Sequence, residues 1–157
     1  MFTGVVACFV TVYGLRNQAG TYRIVEVFDG DTIAVDMQGV PEKIRMIGMD
    51  TPETKDPRKP VQCYGPEASA YTHETLKPGV RVKLVADPVN SNRDRYGRLL
   101  RYVYLTDGTL YNESLLRQGY AHPYDGFLFS KMKQFDATAA TAKAQGRGLW
   151  SACPTDA

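Results

Sequence analysis

From Tyr22 the chain alternates apolar and polar positions in short runs broken by turn residues, the pattern of half-buried strands. Tyr22–Phe28 is the first run and stops at Asp29-Gly30, a hairpin signal. Thr32–Met37 follows, a turn is expected at Gly39-Val40-Pro41, and Lys43–Gly48 forms a third strand. Proline and mixed charge between Thr54 and Tyr64 mark a loop. Pro66 then opens a helix, because its missing N–H costs little in a first turn. Ala68, Ala70, Tyr71 and Leu76 carry that helix to Pro78-Gly79. Strands are expected at Arg81–Val85 and Leu99–Leu105, with a polar turn region from Asp87 to Gly97. Asn112 is expected to cap a short helix reaching Gln118-Gly119, and a last helix spans Ser130–Gln145.

Three strands, a helix, two strands and two helices suit a five-stranded Greek-key barrel of the OB type. The fold class is therefore α+β, mainly β, with three helices; the alternative is an open α+β sandwich. No repeated βαβ rhythm calls for a parallel sheet. With 157 residues and no linker or repeat, residues 20–157 read as one domain behind an apolar leader at 1–19.

Within that leader, Thr3–Tyr13 is an apolar run of eleven, too short to span a bilayer as a mature helix. It has the length of a signal-peptide core, although no basic residue precedes it and no small-x-small site comes after it. We read it as an export or anchoring segment in preference to an N-terminal strand. The expectation is a secreted or envelope-associated protein, with no membrane span in the mature domain and a monomer as the default.

Net charge is only +2, so bulk charge does not announce a polyanion binder. Distribution says more: Arg93, Arg95, Arg98 and Arg101 fall within nine residues, offset by Asp94. Such a run is also what a solvated hairpin face looks like. Cys8 sits in the leader, which leaves Cys63 and Cys153 as an even pair. Beside an export-like leader, that pair suggests one disulfide; two unrelated thiols are the alternative. No Cys/His spacing resembles a zinc site.

Four clusters carry the chemistry: Asp29-Gly30-Asp31-Thr32, Arg45, Asp50-Thr51-Pro52-Glu53 and Arg95-Tyr96-Gly97-Arg98. Asp31 and Asp50 lie just past strand or turn ends that a meander can bring together, and they offer hard oxygens to a divalent cation such as Ca²⁺. Alone, the first cluster is equally a hairpin turn and the second a helix-start box. Glu53 is the candidate base, though nearby arginines would lower its pKa. Arg45 and Arg98 offer planar forks that match two phosphate oxygens. Tyr96, Tyr120 and Tyr124 are candidate platforms for stacking bases. The combination is what hydrolysis of a phosphodiester requires.

In their order and spacing these residues resemble the thermonuclease, or staphylococcal-nuclease-like, family over roughly Tyr22 to Trp150. The resemblance rests on Asp29–Thr32, Arg45, Asp50–Lys55, Tyr64–Ala70, Asp94–Arg98, Asn112–Gly119 and Gly148–Trp150. It implies an OB barrel with three helices and Ca²⁺-dependent cleavage of DNA and RNA at the 5′-oxygen side, leaving 3′-phosphates. It also implies that Asp31, Asp50 and the Thr51 carbonyl hold the metal and that Glu53 acts on the attacking water. Arg45 and Arg98 would hold the phosphate, with Tyr96 and Tyr124 beside the nucleotide; single strands are the favoured substrate. The main rival is a nuclease-like OB module that binds single-stranded nucleic acid without cutting it, which would be expected to have lost these carboxylates and arginines. An oligosaccharide- or protein-binding OB domain would not need two arginines facing a carboxylate cluster.

Overall fold

Residues 20–153 are described by a computed structural model, so the leader and Cys8 lie outside the described residues. Strand β1 (Gly20–Asp29) turns back through Gly30-Asp31 into β2 (Thr32–Met37), with Asp29 opposite Thr32. Gly30 is required by a close approach: a Cβ there would lie 2.7 Å from the Thr51 side chain. The next turn is Gln38-Gly39, both with positive φ, the twist that a two-residue hairpin needs. Strand β3 (Val40–Met46) therefore starts earlier than the sequence suggests and contains Pro41. Proline is tolerated because that half of β3 pairs on one side only, with β2; β6 (Leu99–Tyr104) joins it only from Ile44 to Met46.

That β3–β6 pairing is parallel, and it closes a five-stranded barrel in the order β1-β2-β3-β6-β5, with β5 at Arg81–Val85. The architecture is the mainly β, OB-like barrel that the pattern implies. Leu99–Val103 are buried without alternation, because barrel neighbours flank β6 and helix α2 (Tyr111–Gln118) packs on it. Helix α1 (Gly65–Thr75) begins at Pro66 as expected and buries Ala68 and Thr72. Helix α3 (Met132–Ala144) packs on α2, and a fourth, short helix α4 (Leu149–Ala152) comes after it. Two short segments, β4 (Met49–Asp50) and β7 (His122–Pro123), form a small second sheet that the sequence pattern does not reveal.

Asn112 corrects one expectation. The residue before α2 is Leu110, and no side chain caps it. Asn112 is instead fully buried, accepting the Val103 N–H (2.8 Å) and donating to Ile47 O (2.9 Å) and Arg101 O (3.2 Å). It satisfies backbone groups that barrel closure would otherwise leave stranded. Arg101 corrects another: it is 2% exposed and donates to Leu100 O (2.7 Å) and the Asn92 side chain (2.8 Å), so it does not belong to the basic surface.

Cys63, just before α1, and Cys153, just after α4, are joined as a disulfide with their Cα atoms 5.8 Å apart. Among the described residues no helix is long and apolar enough to cross a membrane.

Candidate active site

The β1–β2 turn, the end of β3, the end of β4 and the approach to β6 open onto one cleft of about 900 Å³. It is lined by Asp31, Arg45, Asp50, Thr51, Glu53, Tyr96, Arg98 and Tyr124, so residues up to 93 positions apart in sequence meet there. Strand pairing does the gathering: Thr32 is opposite Arg45, and Arg45 is opposite Leu100 on its other side.

Arg45 is the hub. Its guanidinium reaches Asp31 Oδ2 at 2.9 Å and Asp50 Oδ1 at 2.5 Å, and donates to Met49 O at 3.1 Å. Asp31 is buried and also accepts from Thr32 Oγ1 (2.8 Å), Thr51 Oγ1 (3.2 Å) and Thr51 N (3.3 Å). Burial pushes the Asp50 carboxyl above its ordinary range; Arg45 pulls it down, and Asp31 adds to the rise. Two carboxylates therefore converge on one positive group, and the more exposed of them is short of compensating charge.

That arrangement fits a divalent metal ion. The donors are hard oxygens from Asp31 and Asp50, with the Thr51 main chain packed against Asp31. Among the described residues no group of three or more His, Cys, Asp or Glu side chains is placed to hold a metal ion, so the protein offers two carboxylates at most from side chains. A cation held by that pair would need its remaining oxygens from the main chain, water and substrate.

Arg98 is aimed by Asp94, which accepts from its Nε (2.7 Å) and its backbone N–H (3.0 Å). Its terminal nitrogen donates to Thr32 Oγ1 at 3.2 Å. Thr32 thus stands between Arg98 and Asp31, a linking role that its place in the turn motif does not reveal. Arg93 is held by Glu42 at 2.6 Å and by the Gly97 carbonyl. Tyr96 lies on the rim, 65% exposed, with the guanidinium carbons of Arg95 and Arg98 at 4.8 and 5.5 Å from its ring centroid.

Glu53 lines the same cleft, held differently from an isolated base. Its Oε1 accepts three backbone N–H groups, from Thr54 (2.9 Å), Lys55 (2.7 Å) and Asp56 (3.0 Å). The Lys55 N–H is foremost in holding its carboxyl below the usual range, against a smaller opposing effect of burial. The lowering comes from its own loop and not, as the sequence suggests, from arginines. Asp29, which reads as a turn residue, is a further acid of the cleft; burial raises its pKa while the Gly30 N–H and Thr54 hydroxyl oppose the rise.

Tyr124 packs edge-on against Phe127 at 4.9 Å, and both line the cleft; Phe127 has no signal of its own in sequence. Tyr120 does not line it. Its ring stacks on Tyr71 (4.4 Å) and Tyr64 (5.6 Å), outside the base-stacking role suggested for it.

Residues 43–152 match the family model described as staphylococcal nuclease homologue, a range that includes Arg45, Asp50, Glu53 and Arg98 but starts after Asp31. The chain is 48% identical over 120 residues to a protein named thermonuclease from Staphylococcus hyicus, covering 72% of this chain and 69% of that one. It is 45% identical over 101 residues to the thermonuclease of Staphylococcus intermedius (64% and 58% covered). Against endonuclease YncB of Bacillus subtilis (strain 168), identity is 38% over 127 residues (78% and 58%). The chain therefore spans under two thirds of the last two relatives' lengths.

Proposed function

The chain belongs to the staphylococcal nuclease homologue family, and from that membership we propose a Ca²⁺-dependent nuclease that hydrolyses phosphodiester bonds of DNA and RNA. The observation that carries it is Arg45 joined to both Asp31 and Asp50 in the cleft that Arg98 and Glu53 also line.

In the proposed reaction Arg45 and Arg98 present their forks to the non-bridging oxygens of the scissile phosphate. Both are already fixed, Arg45 by Met49 O and Asp31 and Arg98 by Asp94, so little reorganisation is needed as charge builds on those oxygens. Glu53 is a carboxylate at neutral pH, as an ordinary glutamate is, and the N–H groups of its own loop lower its pKa further. It orients the attacking water by accepting a hydrogen bond from it and takes its proton as the new P–O bond forms. The bond to the 5′-oxygen breaks, leaving a 3′-phosphate, and the departing 5′-oxygen takes a proton from solvent to leave as a hydroxyl. Asp31, Asp50 and the Thr51 carbonyl would hold the cation, which supplies Lewis-acid polarisation of the phosphate. Tyr96 on the rim and Tyr124 beside Phe127 offer faces for unstacked bases, consistent with a single-stranded substrate. We further propose that a monomer acts outside the cell or at its envelope; the cross-link between Cys63 and Cys153 supports an oxidising compartment.

Digestion of single-stranded DNA by the full chain, with Ca²⁺ and then with excess chelator, tests this. Cleavage is expected only with the ion, and Glu53→Gln should bind the strand while losing most cleavage. Tight binding without cleavage in Ca²⁺, Mg²⁺ or Mn²⁺ would make the protein a silent binding module. Full activity in Glu53→Gln would remove that residue from the mechanism.

A further inference from the structure

Between Glu53 and α1 the chain makes an excursion over Thr54–Val61, carrying Arg58 and Lys59 to the cleft wall. Both ends of this excursion are joined by one residue. Gln62 Oε1 accepts the Glu53 N–H at 2.8 Å, and the Gln62 N–H donates to Glu53 O at 2.9 Å. This reciprocal clasp fixes the backbone of Glu53 at the point from which its carboxylate enters the cleft.

Gln62 is itself exposed, so packing does not hold it. Its anchor is the neighbouring residue, Cys63, bonded to Cys153 at the end of α4, a bridge between positions 90 residues apart. Cys153 N–H bonds Leu149 O (3.0 Å), and the start of α4 is in turn anchored to the body of the domain by the Leu149 N–H bond to Gly119 O (2.9 Å), a turn of positive φ against which Gly148 packs. Within the loop, Lys59 N–H bonds Asp56 O (3.0 Å), and beyond it Gly65 N–H bonds Gln62 O (3.0 Å).

We propose that Gln62, tethered by the Cys63–Cys153 disulfide, is the positioning residue that holds Glu53 and its loop in place for phosphodiester cleavage. The inference rests on the nuclease reading above. Its consequence is that oxidation of one peripheral cysteine pair sets how well the site turns over substrate. No atom of Gln62 or of the disulfide needs to touch the reacting phosphate. The effect runs through the placement of Glu53, where an error near 1 Å costs on the order of 10²-fold in rate.

The test compares wild type, Gln62→Met, Gln62→Glu and a Cys63→Ser/Cys153→Ser double variant in cleavage of a single-stranded oligodeoxynucleotide, with amide hydrogen exchange at Glu53 measured alongside. Gln62→Met keeps the length but loses the acceptor, and should lower kcat by on the order of 10–100-fold with little change in KM. Gln62→Glu keeps an acceptor oxygen and should recover most of kcat. The double variant should lower kcat too, and combining it with Gln62→Met should add little, since both act through Glu53. Wild-type kcat in Gln62→Met, or penalties that multiply in full, would overturn the proposal. The exchange arm separates the two readings. An inactive wild type whose Glu53 amide still loses protection in Gln62→Met would overturn the nuclease reading and support the clasp. Unchanged protection would overturn the clasp, whatever the activity.

Discussion

Replacing Arg45 with Gln removes the positive hub while keeping a polar side chain of lesser reach. In the wild type the guanidinium contacts Asp31 and Asp50 at 2.9 and 2.5 Å; the Asp31 side chain is 12% exposed and that of Asp50 is 54% exposed. Breaking the first pair leaves a nearly buried carboxylate, a loss of about 3 kcal/mol. Breaking the second, half-exposed pair adds under about 1 kcal/mol, because solvent screens it. In chelator, Arg45→Gln should therefore unfold in urea with a stability lower by about 3–4 kcal/mol. Saturating Ca²⁺ should then restore a large part of the loss, about 2.7 kcal/mol at a hundredfold excess over Kd. The gain should exceed that of the wild type, since the ion meets carboxylates that no guanidinium already holds. Cleavage should nevertheless stay depressed by about 10²–10³, because the fork proposed to bind the phosphate is gone. A stability loss below about 1 kcal/mol in chelator, or the same response to Ca²⁺ in both proteins, would refute the reading of Arg45 as lying between two carboxylates proposed to bind the metal.

Arg98→Lys should lower kcat by about 10² or more with folding intact, since a point charge cannot span two phosphate oxygens; near-normal turnover would make Arg98 a surface residue. Asp87 offers a pH test outside the cleft. Burial would push its carboxyl up, but the hydroxyls of Ser130 (2.5 Å) and Tyr102 (2.6 Å) and nearby backbone N–H groups hold it at about 2. Its folded pKa is depressed, so its contribution, roughly 2 kcal/mol, is fully present above the ordinary carboxylate pKa near 4. That contribution is lost as pH falls toward 2. The stability gap between wild type and Asp87→Asn, measured by urea unfolding at pH 6 and at pH 2.5, should shrink at the lower value; a constant gap would refute the assignment. Asn112→Leu should destabilise by about 3 kcal/mol at any of these pH values, because it strands the Val103 N–H and the Ile47 carbonyl, while Arg101 O keeps the Ile47 N–H; a loss under about 1 kcal/mol would mean water replaces the amide.

Local patterning was enough to place most of the barrel and the first helix. Alternation located β1 and β5, apolar runs bounded by turn residues located β2 and β6, and Pro66 located the start of α1, because these signals depend on neighbours a few residues away. Residue type was also enough to nominate Asp31, Arg45, Asp50, Glu53 and Arg98, since hard oxygens and guanidinium forks have few other joint uses. The structure placed all five in one cleft. Asn112 shows where local rules stop: a helix-start amide reads as a cap until the register of distant strands leaves it beside their unpaired backbone groups. Arg101 reads as surface charge until barrel closure buries it beside Asn92.

The sequence by itself determined the five barrel strands, the three longer helices, their order and the chemical inventory, because those come from periodicity, turn chemistry and side-chain type. Only the tertiary structure decided how that inventory is wired. The antiparallel β2–β3 pairing sets Arg45 beside Thr32, the parallel β3–β6 pairing sets it beside Leu100, and the small β4–β7 sheet sets Asp50 opposite His122. Glu53 turned out to be bound by its own loop and clasped by Gln62, which no spacing announces. The physical reason is one of range: a strand forms from its own pattern, whereas a contact between residues tens of positions apart exists only once the register of the closed barrel brings their side chains within a few ångströms.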